Sequence, residues 1–179
     1  MLVRGNNKGF ALVITMLFAM IALALTGALL YMVTQSTLMT GIGQRYATAL
    51  DASKGSMEIT FVFIRDYPDT MTPAAGTLPN APCAYEKIQH ETSKWVSSTL
   101  CTAIDSDDSV DAVKTNSDVI IVLGLYTTWS KIVNTRITKT ASGTDCESGC
   151  TYYTIESYTE NTSRPMENAH VTSVYMTAE

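Results

Sequence analysis

Four cysteines, two histidines and a run of aspartates are the residues in this 179-residue sequence whose types and spacing could do chemistry. Cys83, Cys101, Cys146 and Cys150 all follow a long apolar N-terminal segment. An even number of cysteines outside the cytoplasm fits disulfides. Of the three possible pairings, Cys83–Cys101 and Cys146–Cys150 join the cysteines nearest in sequence, and free buried thiols are the other reading. A zinc site is the weaker alternative, because there is no Cys-x-x-Cys pair and neither His90 nor His170 stands at ligand spacing from a cysteine. The stretch Asp105-Ser106-Asp107-Asp108-Ser109-Val110-Asp111 alternates oxygen-bearing side chains, as calcium loops do. It departs from the EF-hand pattern, with Val110 at the position that needs glycine and Asn116 at the position that needs glutamate. The expectation is a solvated acidic loop, with calcium binding as a minor possibility and no other cofactor.

No catalytic constellation accompanies these residues. His90 and His170 are far apart, and neither has a serine or cysteine nucleophile motif beside it. There is no phosphate-binding loop, no Rossmann glycine pattern and no haem-attachment motif. An enzyme is not expected. Trp95 and Trp129 read as core or interface residues, and the C-terminal tyrosines suit strands, some of them exposed for adhesion. From Asp66 onward there are 7 Lys and Arg against 15 Asp and Glu, so that part is strongly acidic. Nucleic acid, which calls for clustered Lys and Arg, is not an expected partner.

Hydrophobic content is 46% but unevenly placed. Phe10 to Val33 is a run of 24 residues with no charged side chain, and no charge occurs between Lys8 and Arg45. As a helix this run measures roughly 36 Å, enough to cross a bilayer core of about 30 Å. Arg4 and Lys8 precede it, which holds the N-terminus on the cytoplasmic side. A cleaved secretory signal would have a shorter apolar core and a small-residue cleavage site. Here a helical stripe continues through Tyr31, Leu38, Ile42, Tyr46, Leu50, Met57, Phe61 and Ile64, with no proline before Pro68. One helix is predicted over residues 10–65, roughly 80 Å long, with residues 10–33 crossing the membrane. Gly27, Gly41 and Gly43 are its weak points. A helix of that length outruns what a head of this size covers, so its first half needs lipid or other helices around it.

The residues Lys8-Gly9-Phe10-Ala11-Leu12-Val13-Ile14 resemble the processing site of type IV prepilins. The resemblance implies a leader over residues 1–9, cut between Gly9 and Phe10 by a prepilin peptidase that then methylates Phe10. The first 60 or so residues look most like the PilX-like minor pilins. Ala47-Thr48-Ala49-Leu50-Asp51-Ala52-Ser53-Lys54-Gly55 stands where that group carries its small-residue, acidic motif, but with Ala-Ser-Lys-Gly for Ala-Glu-Ala-Gly. The family's usual glutamate at the fifth mature position is Ile14 here. The family includes tip subunits without that glutamate, which implies a tip or assembly-priming place in a type IV pilus.

The expected partners are other major and minor pilins through the N-terminal helix, the prepilin peptidase, the inner membrane before assembly, and a tip adhesin. The expected location is the bacterial inner membrane, then the extracellular filament. The alternatives are a minor pseudopilin of a type II secretion system and a single-pass anchored binding protein.

The predicted fold class is α+β and pilin-like: one long N-terminal helix, membrane-spanning in its first half, packed on an antiparallel sheet in a head over residues 66–179. Prolines from Pro68 to Pro82 mark a loop. A short helix is expected over residues 86–100, and Cys83–Cys101 would staple it to the loop. Strands are expected over residues 119–126, 129–140, 151–160 and 171–177, with turns at 141–144 and between Cys146 and Cys150.

Overall fold

A computed structural model of the chain describes residues 8–67, 69, 72–96, 101, 104–138 and 149–178. The first element, α1 (Lys8–Asp66), is one uninterrupted helix of 59 residues. It then gives way to α2 (Ala81–Gln89), a 3-10 turn at Thr92–Lys94, α3 (Val110–Thr115), and strands β1 (Val119–Leu123), β2 (Tyr126–Thr138), β3 (Cys150–Asn161) and β4 (Arg164–Ala178). The strands form one antiparallel sheet in the order β1-β2-β3-β4. The fold is therefore α+β and pilin-like, as the sequence predicts. By contact the chain divides into two compact units, with the boundary between Gln44 and Arg45.

In the first unit every described side chain from Phe10 to Thr40 is exposed. This helix is long and apolar enough to cross a membrane.

In the second unit α1 packs on the sheet. Ala49, Ser53, Ser56, Met57, Thr60, Phe63 and Ile64 are buried, at the spacings of three and four that draw one face of a helix. Met57, Phe63 and Ile64 join Ala84 and Ile88 of α2 and Val119, Ile121, Ile132, Tyr153 and Ile155 of the sheet in one hydrophobic cluster. Phe61 stacks on Tyr175 of β4, ring centroids 4.4 Å apart. Even-numbered residues of β3 point to the other face, where α3 and the acidic segment before it lie over β2 and β3.

Several boundaries differ from the sequence reading, each for a local reason. The helix expected over 86–100 begins at Ala81 and ends at Gln89. Pro82 stands in its first turn, where a missing N–H costs nothing, and the Asn80 carbonyl accepts from the Cys83 and Ala84 N–H groups. Pro82 thus starts a helix rather than marking a loop. The first expected strand, 119–126, is divided: Gly124 adopts φ 63° and turns the chain, so that Leu123 pairs with Tyr126 across a tight hairpin. β4 starts at Arg164, seven residues before the expected strand. The Asn161 side-chain carbonyl accepts from the Ser163 and Arg164 N–H groups and turns β3 directly into it. The acidic stretch ends in a helix that was not expected, α3, whose N-cap Ser109 accepts from the Ala112 N–H. The turn expected at 141–144 lies outside the described residues, as does Cys146.

Gly76 is demanded by its surroundings. It adopts φ 94°, and a Cβ there would collide with the Ile120 carbonyl oxygen. Beside it, Thr77 exchanges two backbone hydrogen bonds with Ile120, at 2.8 and 2.9 Å. The outer edge of β1 is covered there by this segment.

Candidate assembly helix and head site

The Gly9–Phe10 junction lies in the first turn of α1, and Phe10 is exposed. Ile14 is the least exposed of the large apolar side chains between Phe10 and Ile42, at 38%. The helix also satisfies its threonine hydroxyls. Each of the five threonines between Phe10 and Thr40 donates its hydroxyl to a carbonyl three or four residues back: Thr15 to Leu12, Thr26 to Ala22, Thr34 to Leu30, Thr37 to Val33 and Thr40 to Ser36. A hydroxyl satisfied within its own helix carries a much reduced penalty in an apolar medium. The sequence reading missed this; the signal available was that threonine is the hydroxyl residue most frequent in the run.

Where α1 meets the sheet, the interface is partly a seam of small hydroxyl side chains. The Ser56 and Ser130 hydroxyls lie 2.6 Å apart, and Ser53 donates to the Ser157 carbonyl at 3.2 Å. Thr159 donates to Thr128 at 2.9 Å, and Thr60 to the Ser56 carbonyl. All of these residues are buried. Among the described residues no buried side-chain nitrogen or oxygen lacks a hydrogen-bond partner. Small side chains let the helix backbone approach the sheet closely, and paired hydroxyls avoid the cost of burying polar groups. Ser53, Ser56 and Thr60 stand three and four apart in the sequence, so this seam was visible there as a polar stripe beside the apolar one.

Lys87 and Lys131 are fully buried, which nothing in their sequence surroundings indicates. Lys87 of α2 reaches Asp118 with Nζ 2.9 and 3.0 Å from the two carboxylate oxygens, and both side chains are almost wholly enclosed. Asp118 also accepts from the Ile132 N–H at 2.7 Å. Burial pushes the Asp118 carboxyl up, against the pull of the Lys87 charge and of these hydrogen bonds. Lys131 of β2 lies under the acidic segment, paired with Asp105 and 2.7 Å from the Asp107 carbonyl. Burial raises the Asp105 carboxyl, but the Lys131 and Asn116 hydrogen bonds and the Lys131 charge outweigh it and hold it below its usual value.

Residues 106–109 and Asp111 are exposed, as a solvated loop would be, but the stretch is anchored at its start and runs into α3 at its end. Asp105 is engaged with the Lys131 ammonium, and Asp107 accepts from the Ser109 N–H at 2.9 Å. Among the described residues no three His, Cys, Asp or Glu side chains are grouped as metal ligands.

Cys83 and Cys101 form a disulfide, as expected, with Cα atoms 4.9 Å apart. It ties the first turn of α2 to the segment before the acidic stretch. Cys150 is also disulfide-bonded, and its expected partner Cys146 lies outside the described residues. His90 is exposed just beyond α2, 3.9 Å from Glu86. His170 stands on β4 with Nε2 2.9 Å from Glu156. Trp95 and Trp129 are half-buried, and the Lys114 ammonium lies 5.1 Å from the Trp129 ring centre. Tyr175 donates to Glu58 at 3.1 Å, and burial with this contact pushes its phenol up to about 12.

What this arrangement offers is therefore a long apolar helix surface and a cross-linked head. No family model, no curated protein and no solved structure matches the chain.

Proposed function

We propose that this chain is a minor pilin, a filament subunit whose α1 leaves the membrane to pack against the helices of neighbouring subunits. The observation that carries this reading is α1 itself. It runs unbroken from Lys8 to Asp66, carries no charge from Gly9 to Gln44, and ends packed on a sheet head. A plain anchor needs only about 20 apolar residues. A helix that remains uncharged for more than thirty, with its hydroxyls bonded to its own backbone, suits a crowded environment of other helices as well as lipid. The disulfide in the head fits an oxidising compartment beyond the membrane. The Gly9–Phe10 junction supports cleavage and N-methylation by a prepilin peptidase, and the resemblance is closest to the PilX-like group.

Ile14 supports a place at the tip or in the priming complex. Cleavage would leave the Phe10 amine in an apolar surrounding, where an unpaired ammonium is costly and a carboxylate from another subunit offsets the cost. With isoleucine at position 14 this chain offers no such carboxylate to a neighbour, and a terminal subunit has no neighbour to serve.

The test is to shear surface fibres from cells carrying an epitope on the head and locate it by immuno-electron microscopy. Label at fibre ends is expected, and Ile14→Glu is expected to spread it along the shaft. Label absent from fibres, with all of the protein in the membrane fraction, would contradict the proposal.

A further inference from the structure

One end of the head stands apart from the rest. The hairpin between β1 and β2 turns at Gly124, and the Thr162 N–H and hydroxyl both donate to the Leu125 carbonyl, at 2.9 and 3.1 Å. The β1–β2 and β3–β4 turns are thereby held side by side. Glu167, just after the second turn, lies 3.2 Å from Arg45 and accepts from the Asn161 side chain at 3.0 Å. Arg45 is the first residue of the second unit, so the apolar run joins the head beside these turns. Of the large apolar side chains exposed in this unit among the described residues, five belong to this end: Tyr46, Val122, Leu123, Leu125 and Met166, against three on all the remainder. Leu125 is 63% exposed and Met166 94%. The charges also depart from the acidic balance of the head, since the ion pairs of this end set Arg45, Lys114 and Arg164 against Glu160 and Glu167.

We propose that this end of the head is a docking surface for the lipid bilayer, with the two turns resting in the headgroup layer. The occupant follows from chain continuity. The chain carries no charge from Gly9 to Gln44, and as a helix Phe10 to Gln44 measures roughly 52 Å. A bilayer with its headgroups is about 40–45 Å thick. With the basic N-terminus held at the inner surface, Arg45 emerges within about 10 Å of the outer headgroups, and closer still if the helix tilts. Leucine and methionine at the turns suit the boundary of the acyl chains, and Tyr46 suits the interface. Arg45 and Arg164 offer guanidinium groups to lipid phosphates while their stems lie along apolar surface. Docking there would hold the head against the bilayer instead of leaving it to swing on its helix. The inference rests on the membrane-spanning part of the reading above and not on filament assembly.

The experiment uses the full chain in phosphatidylcholine vesicles, part of whose lipid carries a headgroup nitroxide, a short-range quencher of tryptophan. Tryptophan is placed singly at Met166 and, as a control, at Val174, which is 64% exposed and pairs with Thr154, away from the turns. Above the background of the parent chain, Met166→Trp is expected to be quenched at least threefold more than Val174→Trp. Adding Leu125→Asp to Met166→Trp changes an exposed position and is expected to lower the quenching at least twofold, with the thermal transition retained. Equal quenching at 166 and 174, in protein that floats with the vesicles, would overturn the proposal and leave the membrane span standing. Unchanged quenching after Leu125→Asp would reduce the contact to proximity on a tether and overturn it as well. A chain that does not float with the vesicles would overturn both the docking surface and the membrane span.

Discussion

The side chains that decide this head are those whose charge or hydroxyl is buried. Lys87 and Asp118 hold each other inside the protein, and removing one leaves the other charged and enclosed. Asp118→Ala is expected to destabilise the head by about 3–5 kcal/mol in urea denaturation, and Lys87→Met with Asp118→Leu by clearly less. Equal losses in the two variants would mean that the charges are not what matters. Tyr175 makes a pH prediction. Its folded phenol is pushed up to about 12, above an unfolded value of roughly 10. The neutral phenol's contribution is complete below the unfolded value and is lost as pH rises from about 10 through 12. Absorbance at 295 nm should show late tyrosine ionisation in the folded protein that is reduced by one residue in Tyr175→Phe. None of these pairings was legible in the sequence. Lys87, Lys131 and Asp118 look like surface residues there, because what buries them comes from elements distant in the chain. The hydroxyl seam was closer to legible, since Ser53, Ser56 and Thr60 share a helix face.

At the scale of elements, α1 was the most legible feature, because an apolar run without charge followed by spacings of three and four admits few other structures. The four strands were also readable from alternation and β-branched content, though not their ends. Those ends depended on single residues with two meanings: Pro82 as loop or first helical turn, Gly124 as strand interior or hairpin, Ser109 as loop or cap. Two predictions belong here. Cys83→Ser with Cys101→Ser opens a loop with a sequence separation of 18 residues, and is expected to cost about 3 kcal/mol by thermal or denaturant unfolding. Gly76→Ala places a side chain at φ 94° against the Ile120 carbonyl. It should cost about 1–3 kcal/mol, with increased hydrogen exchange at Thr77 and Ile120, whose paired amides it would displace. Unchanged exchange there would show that the segment accommodates the methyl group.

The head has its own core, a disulfide and satisfied buried polar groups, while residues 10–40 of α1 expose apolar side chains almost without interruption. Apolar surface on that scale requires a covering; in the proposed filament subunit lipid supplies it first and neighbouring helices later. In the proposed filament the prepilin-like Gly9–Phe10 junction is cut, so that the chain starts inside the apolar run. The most direct test is mass spectrometry of the N-terminus of the protein purified from its native cell. The expected result for a minor pilin is a chain beginning at N-methylated Phe10. A protein that retains its N-terminal residues through Gly9, unmodified at Phe10, would contradict it.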